Sequence, residues 1–199
     1  MSKEPALILA STSPRRSDLL TEAGYQFVIV KPLVEESEDE AIPIRELTAL
    51  NARLKAEAVA GDHPDRVVIG ADTLVLLGER VFSKPVDRAD ATRMLAELSG
   101  QTHQVFTAVA LIHHDSGTRH ALSVATEVKF KALTEEEMAA YHSRIDPMDK
   151  AGAYAAQEHG ALIIERIAGS MSNVIGLPME EVAEALERQF GISPGPSVR

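Results

Sequence analysis

Asp72 lies in the run 69–75, IGADTLV, behind a glycine and an alanine at the end of a stretch that reads as a buried strand. A carboxylate so placed can hold a divalent ion or orient a water molecule, and the small residues before it keep the approach open. The same glycine–aspartate pair also suits an ordinary turn, so the surrounding charges decide what it offers. Arg15, Arg16, Lys55 and Lys84 all fall at the edges of expected elements, and Glu35 and Glu36 add carboxylates. Hard oxygen ligands with cationic clamps are what a triphosphate needs, because its reacting phosphorus is shielded by negative oxygens.

The arginine pair stands in LASTSPRRSDLL, residues 9–20, at a strand-to-helix junction. A helix start offers unpaired N–H groups and the positive end of the macrodipole, for which an anion is the natural guest. Ser13 followed by Pro14 also reads as a plain cap and first helical residue. Lys84 stands in SKP, a turn stiffened by Pro85, where a lysine also serves as ordinary surface. The segment 146–157, DPMDKAGAYAAQ, carries Asp149, Lys150, Tyr154 and Gln157 between turn signals. The amide of Gln157 suits a base edge or a phosphate-bound water as well as plain solvent.

Other chemistries lack their residues. With no cysteine, disulfides and thiolate sites are excluded. The histidines show no HExxH spacing, and His113 and His114, neighbours in a strand, leave on opposite faces. Neither GxxxxGK[ST], GxGxxG nor the GxSxG elbow occurs, and AGSMSN, 168–173, reads as a tight turn with polar contacts.

The elements that must position these groups follow from periodicity. Strands are expected over 6–10, 26–30, 104–114, 119–130 and 161–169; the run from 66 gives a strand, a break around Gly70 and a second apolar run. Helices are expected over 16–23, over 44–60 with Asn51 and Lys55 flanking the apolar stripe, after Asp87 as a cap, and over 134–144 with Thr134 and Glu137 as a capping box. A terminal helix carries Met179, Val182, Leu186 and Phe190 inward. The acidic stretch 35–40 reads as loop. Strand directly after strand between 104 and 130 argues against a purely parallel sheet. The expected fold is α/β: a mixed, twisted central sheet flanked by helices, one domain over 1–192 with a flexible tail at 193–199.

A net charge of -10 argues against a non-specific nucleic-acid or anionic-membrane binder, so any positive site is local. No apolar run is long enough to span a bilayer and the start lacks a signal-peptide pattern, which makes a cytoplasmic protein the expectation.

Taken together, LASTSPRRSDLL, KPLVEES, LKAEAV, VIGADTLV, FSKPVD, LSGQTHQVFTAVAL, DKAGAYAAQ and GSMSNVIGLP, in this order over nearly the whole chain, resemble the Maf-like nucleoside triphosphate pyrophosphatases. The resemblance implies two lobes around a nucleotide-binding cleft and a homodimer. It further implies hydrolysis of a nucleoside triphosphate to the monophosphate and pyrophosphate with a divalent cation, Mg2+ or Mn2+. It assigns Asp72 as proton acceptor and metal contact, with Glu36 as the second metal contact, preceded by Glu35 where the family usually has aspartate. Lys55 and Lys84 join them as catalytic lysines; Ser11, Arg15 and Arg16 bind substrate, and Thr73 and Gln157, with Arg15, choose the base. DKAGAYAAQ is similar to the dTTP/UTP branch. Thr12, Glu158 and Met171 depart from the family's pattern, the first two at positions that shape loops. Hydrolysis of modified or non-canonical nucleotides, or a nucleotide-binding role in regulating division, are the alternatives.

Overall fold

The computed structural model describes residues 6–39 and 41–195. Seven strands run in the order β2-β1-β3-β5-β6-β7, with β4 paired to β3. They are β1 (Leu7–Ala10), β2 (Phe27–Ile29), β3 (Val67–Leu77), β4 (Arg80–Phe82), β5 (Thr102–His113), β6 (Thr118–Phe130) and β7 (Ile164–Ala168). β1 pairs parallel with both β2 and β3, whereas β3 with β4 and β6 with β7 are antiparallel. The sheet is therefore mixed, as the strand–strand passage demanded. Among the described residues the helices are α1 (Pro14–Glu22), α2 (Ile44–Ala60), α3 (Arg88–Leu98), α4 (Glu135–His142), α5 (Met171–Ile175) and α6 (Met179–Phe190), with short 3-10 turns over Ala151–Ala153 and Gly160–Leu162.

The chain divides into two compact units. Unit 1 comprises residues 1–72, 107–123 and 176–199; unit 2 comprises 73–106 and 124–175. In unit 1 the strand period separates two apolar faces. Leu7, Leu9, Val67, Ile69 and Ala71 pack with Leu20 of α1 and with Val182 and Leu186 of α6. Ile8, Ala10 and Val68 point the other way, onto Ala52, Ala56 and Val59 of α2. In unit 2, Val75, Phe82, Leu95, Leu98, Phe130, Tyr141 and Tyr154 share one core. The capping box of α4 forms as expected: Thr134 Oγ1 accepts from Glu137 N–H and Glu137 accepts from Thr134 N–H. Asp87 caps α3 through Asp90 N–H at 2.7 Å.

Three local expectations are corrected. β3 does not break at Gly70 but runs unbroken, so Asp72 stands inside the strand and not at its end. Ser13 precedes α1 but its side chain makes no capping bond; its N–H instead donates to Ser11 Oγ at 3.2 Å. Residues 171–175 form a short helix in place of a simple turn. Within the expected tail, Gly195 N–H donates to Gly24 O at 2.9 Å, and residues 196–199 lie outside the described part of the chain. No helix among the described residues is long and apolar enough to cross a membrane.

Candidate active site

Gly70 explains why the charged cluster of unit 1 exists. A Cβ at this position would lie 2.3 Å from Ala52 O and 2.6 Å from Ala56 N, inside the backbone of α2. The missing side chain lets helix and strand touch, and Lys55, one residue before Ala56, is carried to Asp72, two residues beyond Gly70. The glycine thus keeps open the approach of a helix, not that of a ligand. β1 stops at Ala10, which is in register with Gly70, so Asp72 projects past the carboxyl end of β1, at the level where Ser11 opens the path to α1.

Lys55 Nζ lies 2.9 Å from Asp72 Oδ1 and 2.6 Å from Glu36 Oε2, and it reaches Ala71 O at 3.4 Å. Lys55 and Asp72 are both buried, whereas Glu36 is exposed. Two carboxylates thus share one ammonium. The second oxygen of Asp72, Oδ2, is buried and has no hydrogen-bond partner among the described residues. A buried carboxylate oxygen left unbonded is costly unless something else engages it.

Glu36 reaches Lys55 because Asn51, one turn earlier on α2, grips the next residue of the loop. Asn51 Oδ1 accepts from Ser37 N–H at 2.8 Å and its Nδ2 donates to Ser37 O at 3.0 Å. Sequence reasoning placed Asn51 beside the apolar stripe without giving it this task; the i, i+4 spacing of Asn51 and Lys55 was the available signal.

Arg16 is buried, with Nε donating to Gly176 O at 2.9 Å and Nη1 to Ser11 Oγ at 3.3 Å. Burial pushes its guanidinium below the usual arginine range, while Asp72 pulls it back up, Arg15 lowers it and Glu36 raises it. These four groups therefore feel one another's fields. Unit 1 brings together Ser11, Arg15, Arg16, Glu36, Lys55 and Asp72. Glu35 is exposed, as are Thr12 and Met171 among the departures.

Unit 2 carries Thr73, Lys84 and Gln157. Thr73 follows Asp72 along β3 and so leaves on the other face of the strand. Lys84 is exposed in the loop after β4, whose Ser83 carbonyl accepts from Gly152 N–H at 3.1 Å. That bond ties the Lys84 loop to the segment bearing Gln157. Gln157 is exposed, and its Nε2 donates to Glu158 Oε1 at 3.3 Å.

The family model described as Maf-like protein matches residues 6–189. The chain is similar to a dTTP/UTP pyrophosphatase of Akkermansia muciniphila, 49% identical over 92% of this chain and 95% of the relative. It is similar to proteins of the same description from Desulforamulus reducens, 42% identical over 94% of this chain and 97% of the relative. A third, from Acetivibrio thermocellus, is 44% identical over 94% of this chain and 96% of the relative.

Proposed function

The chain belongs to the Maf-like protein family, and from that premise we infer that it is a pyrophosphatase hydrolysing dTTP and UTP to the nucleoside monophosphate and pyrophosphate. The observation that carries the chemistry is the divided carboxylate of Asp72. Lys55 fixes Oδ1, and Oδ2 is left buried and unbonded. Asp72 accepts the proton of water as the water oxygen bonds to phosphorus of the α–β anhydride; the bridging P–O bond breaks and its electron pair leaves with the departing phosphate oxygen. General-base help of this kind contributes roughly 10²–10⁴ in rate. Arg15 and Arg16 clamp phosphate oxygens, Arg16 with its planar fork already fixed by Ser11 and Gly176. We assign Lys84 to catalysis and Thr73, Gln157 and Arg15 to choice of base on the family resemblance.

The donor set fits a divalent cation of the magnesium kind. Among the described residues no group of three or more His, Asp or Glu side chains is poised around a cation. Asp72 and Glu36 would hold Mg2+ or Mn2+, with phosphate oxygens and water completing the shell, as such ions prefer. When bound, the ion supplies neutralisation of phosphate charge and a more acidic water. The reading includes a cytoplasmic location and a homodimer, which light scattering tests.

The deciding experiment offers the protein dTTP, UTP, CTP, dATP and dGTP with Mg2+ or Mn2+ and quantifies monophosphate and pyrophosphate separately. Equal amounts of the two products, with dTTP and UTP turned over fastest, are expected. Stepwise release of orthophosphate would overturn the reaction, and a preference for purines would overturn the substrate.

A further inference from the structure

The segment bearing Gln157 is irregular but firmly held. Gly152, Ala153 and His159 have φ of 70°, 60° and 56°, and for the last two, which carry a Cβ, that conformation is strained. Side chains behind the segment enforce it. Tyr141 Oη donates to Ala155 O at 3.0 Å and accepts from Ala155 N–H at 2.9 Å. His142 Nε2 lies 3.1 Å from Ala153 O, and Tyr154 Oη lies 2.9 Å from His103 Nε2 inside the core. Lys150, buried, donates from Nζ to Asp146 O and Asp149 Oδ1, each at 2.8 Å, and stands 3.9 Å from Glu158 Oε1.

Glu158 thus has a cation behind it and Gln157 beside it. An ionised carboxylate only accepts hydrogen bonds, so the end of the Gln157 amide that meets Glu158 must be the NH2. The carbonyl Oε1 is thereby turned away from Glu158. This sense matters because a carboxamide free to turn over serves opposite patterns equally well. Uracil and thymine offer N3–H, a donor, between two carbonyl acceptors. Cytosine offers N3 as an acceptor beside an amino donor. A carbonyl held outward accepts from N3–H of uracil or thymine, and against N3 of cytosine it sets lone pair against lone pair.

We propose that Glu158, braced by Lys150, fixes the sense of the Gln157 carboxamide and so selects uracil and thymine over cytosine. The proposal rests on the reading that Gln157 meets the base. Glu158 acts through Gln157 and is a positioning residue. It stands where the dTTP/UTP branch that the chain resembles commonly has glycine, so this chain adds a device to the shared site.

The test measures kcat and KM for UTP and CTP on wild type, Glu158→Ala, Glu158→Gln and Gln157→Ala, with Tm for each. Glu158→Ala and Glu158→Gln, whose new amide can donate as well as accept, should each lower the UTP to CTP ratio of kcat/KM by about 5- to 10-fold. The loss for UTP should appear in KM, with Tm unchanged because the side chain is exposed. A ratio preserved in both Glu158 variants while Gln157→Ala lowers it overturns the positioning role and leaves Gln157 in place. A ratio preserved in Gln157→Ala overturns both. Equal loss of kcat for the two nucleotides in Glu158→Ala would show a general distortion and also overturns it.

Discussion

The two units hold their candidate residues by different means. In unit 1, Lys55, Asp72 and Arg16 stand on α2, β3 and α1, and they are buried; helix spacing and strand register fix where their charged atoms lie. In unit 2, Lys84 and Gln157 stand on exposed loops; the Gln157 segment is held by Tyr141, His142, His103 and Lys150 behind it, and the Lys84 loop is tied to that segment through Ser83. On the proposed reading, the charge that every nucleoside triphosphate shares is assigned to residues on regular structure. The proposed choice of base is assigned to a loop, where a single replacement such as Glu158 can retune contacts without disturbing a helix. On this reading, substitutions of Asp72, Lys55 and Arg16 in unit 1 should affect all nucleotides alike, whereas substitutions of Arg15 and of the unit 2 loop should reorder them.

The sharpest way to break this contrast is Asp72→Asn, which removes the charge at nearly constant volume. Its kcat should fall by roughly 10²–10⁴ for dTTP and UTP equally, under saturating metal, with an unchanged far-UV spectrum. A loss that differed greatly between nucleotides would give Asp72 itself a part in base choice. Lys55→Met comes next: it strands a buried carboxylate and should cost about 3–5 kcal/mol in urea unfolding. The double variant with Asp72→Asn should recover much of that loss, because the stranded charge is gone.

In unit 2 the frame itself can be titrated. Burial pushes His103 down from 6.5 to about 4. The unfolded chain therefore takes up the proton first as pH falls, and stability is lost between about pH 6.5 and pH 4. That loss should reach about 3 kcal/mol in wild type and be absent from the His103→Gln variant when the difference between the two proteins is followed by urea unfolding across this window. The smallest effect is expected from Tyr141→Phe, which leaves both bonds at Ala155 unmade. It should cost about 1–3 kcal/mol and lower the UTP to CTP ratio, while the one-to-one yield of monophosphate and pyrophosphate persists.

How much of this was open to sequence reading follows the same division. The period of α2, the capping box at Thr134 and Glu137 and the strand pair expected over 104–114 and 119–130 are local signals; α2 formed over 44–60 as expected, and the others with boundaries shifted by a residue or two. Gly70 misled, because its reason lies in Ala52 and Ala56, which no local window contains. β4 is three residues long and was missed for want of any periodicity. The grip of Asn51 on Ser37 depends on a loop path that composition does not encode. In the Gln157 segment, positive φ at Ala153 and His159 contradicts local preference, so tertiary bonds decide the conformation. Glu158 was visible as a departure that could alter loop geometry; its contact with the Gln157 amide appears only once that loop is shaped.

The two atoms nearest the missing Cβ of Gly70 belong to backbone, Ala52 O and Ala56 N, with Ala56 Cβ next at 2.9 Å. Every missense change in its codon brings in a Cβ. Trimming Ala56 to glycine removes one obstruction but leaves the two closer ones, which are the peptide chain itself. A lineage that loses this glycine therefore has no simple second-site suppressor at positions 52 or 56 and must revert or move a whole helix. The position is a genetic dead end of one step, and a screen for revertants of Gly70→Ala should return glycine at the original codon far more often than any compensating change elsewhere.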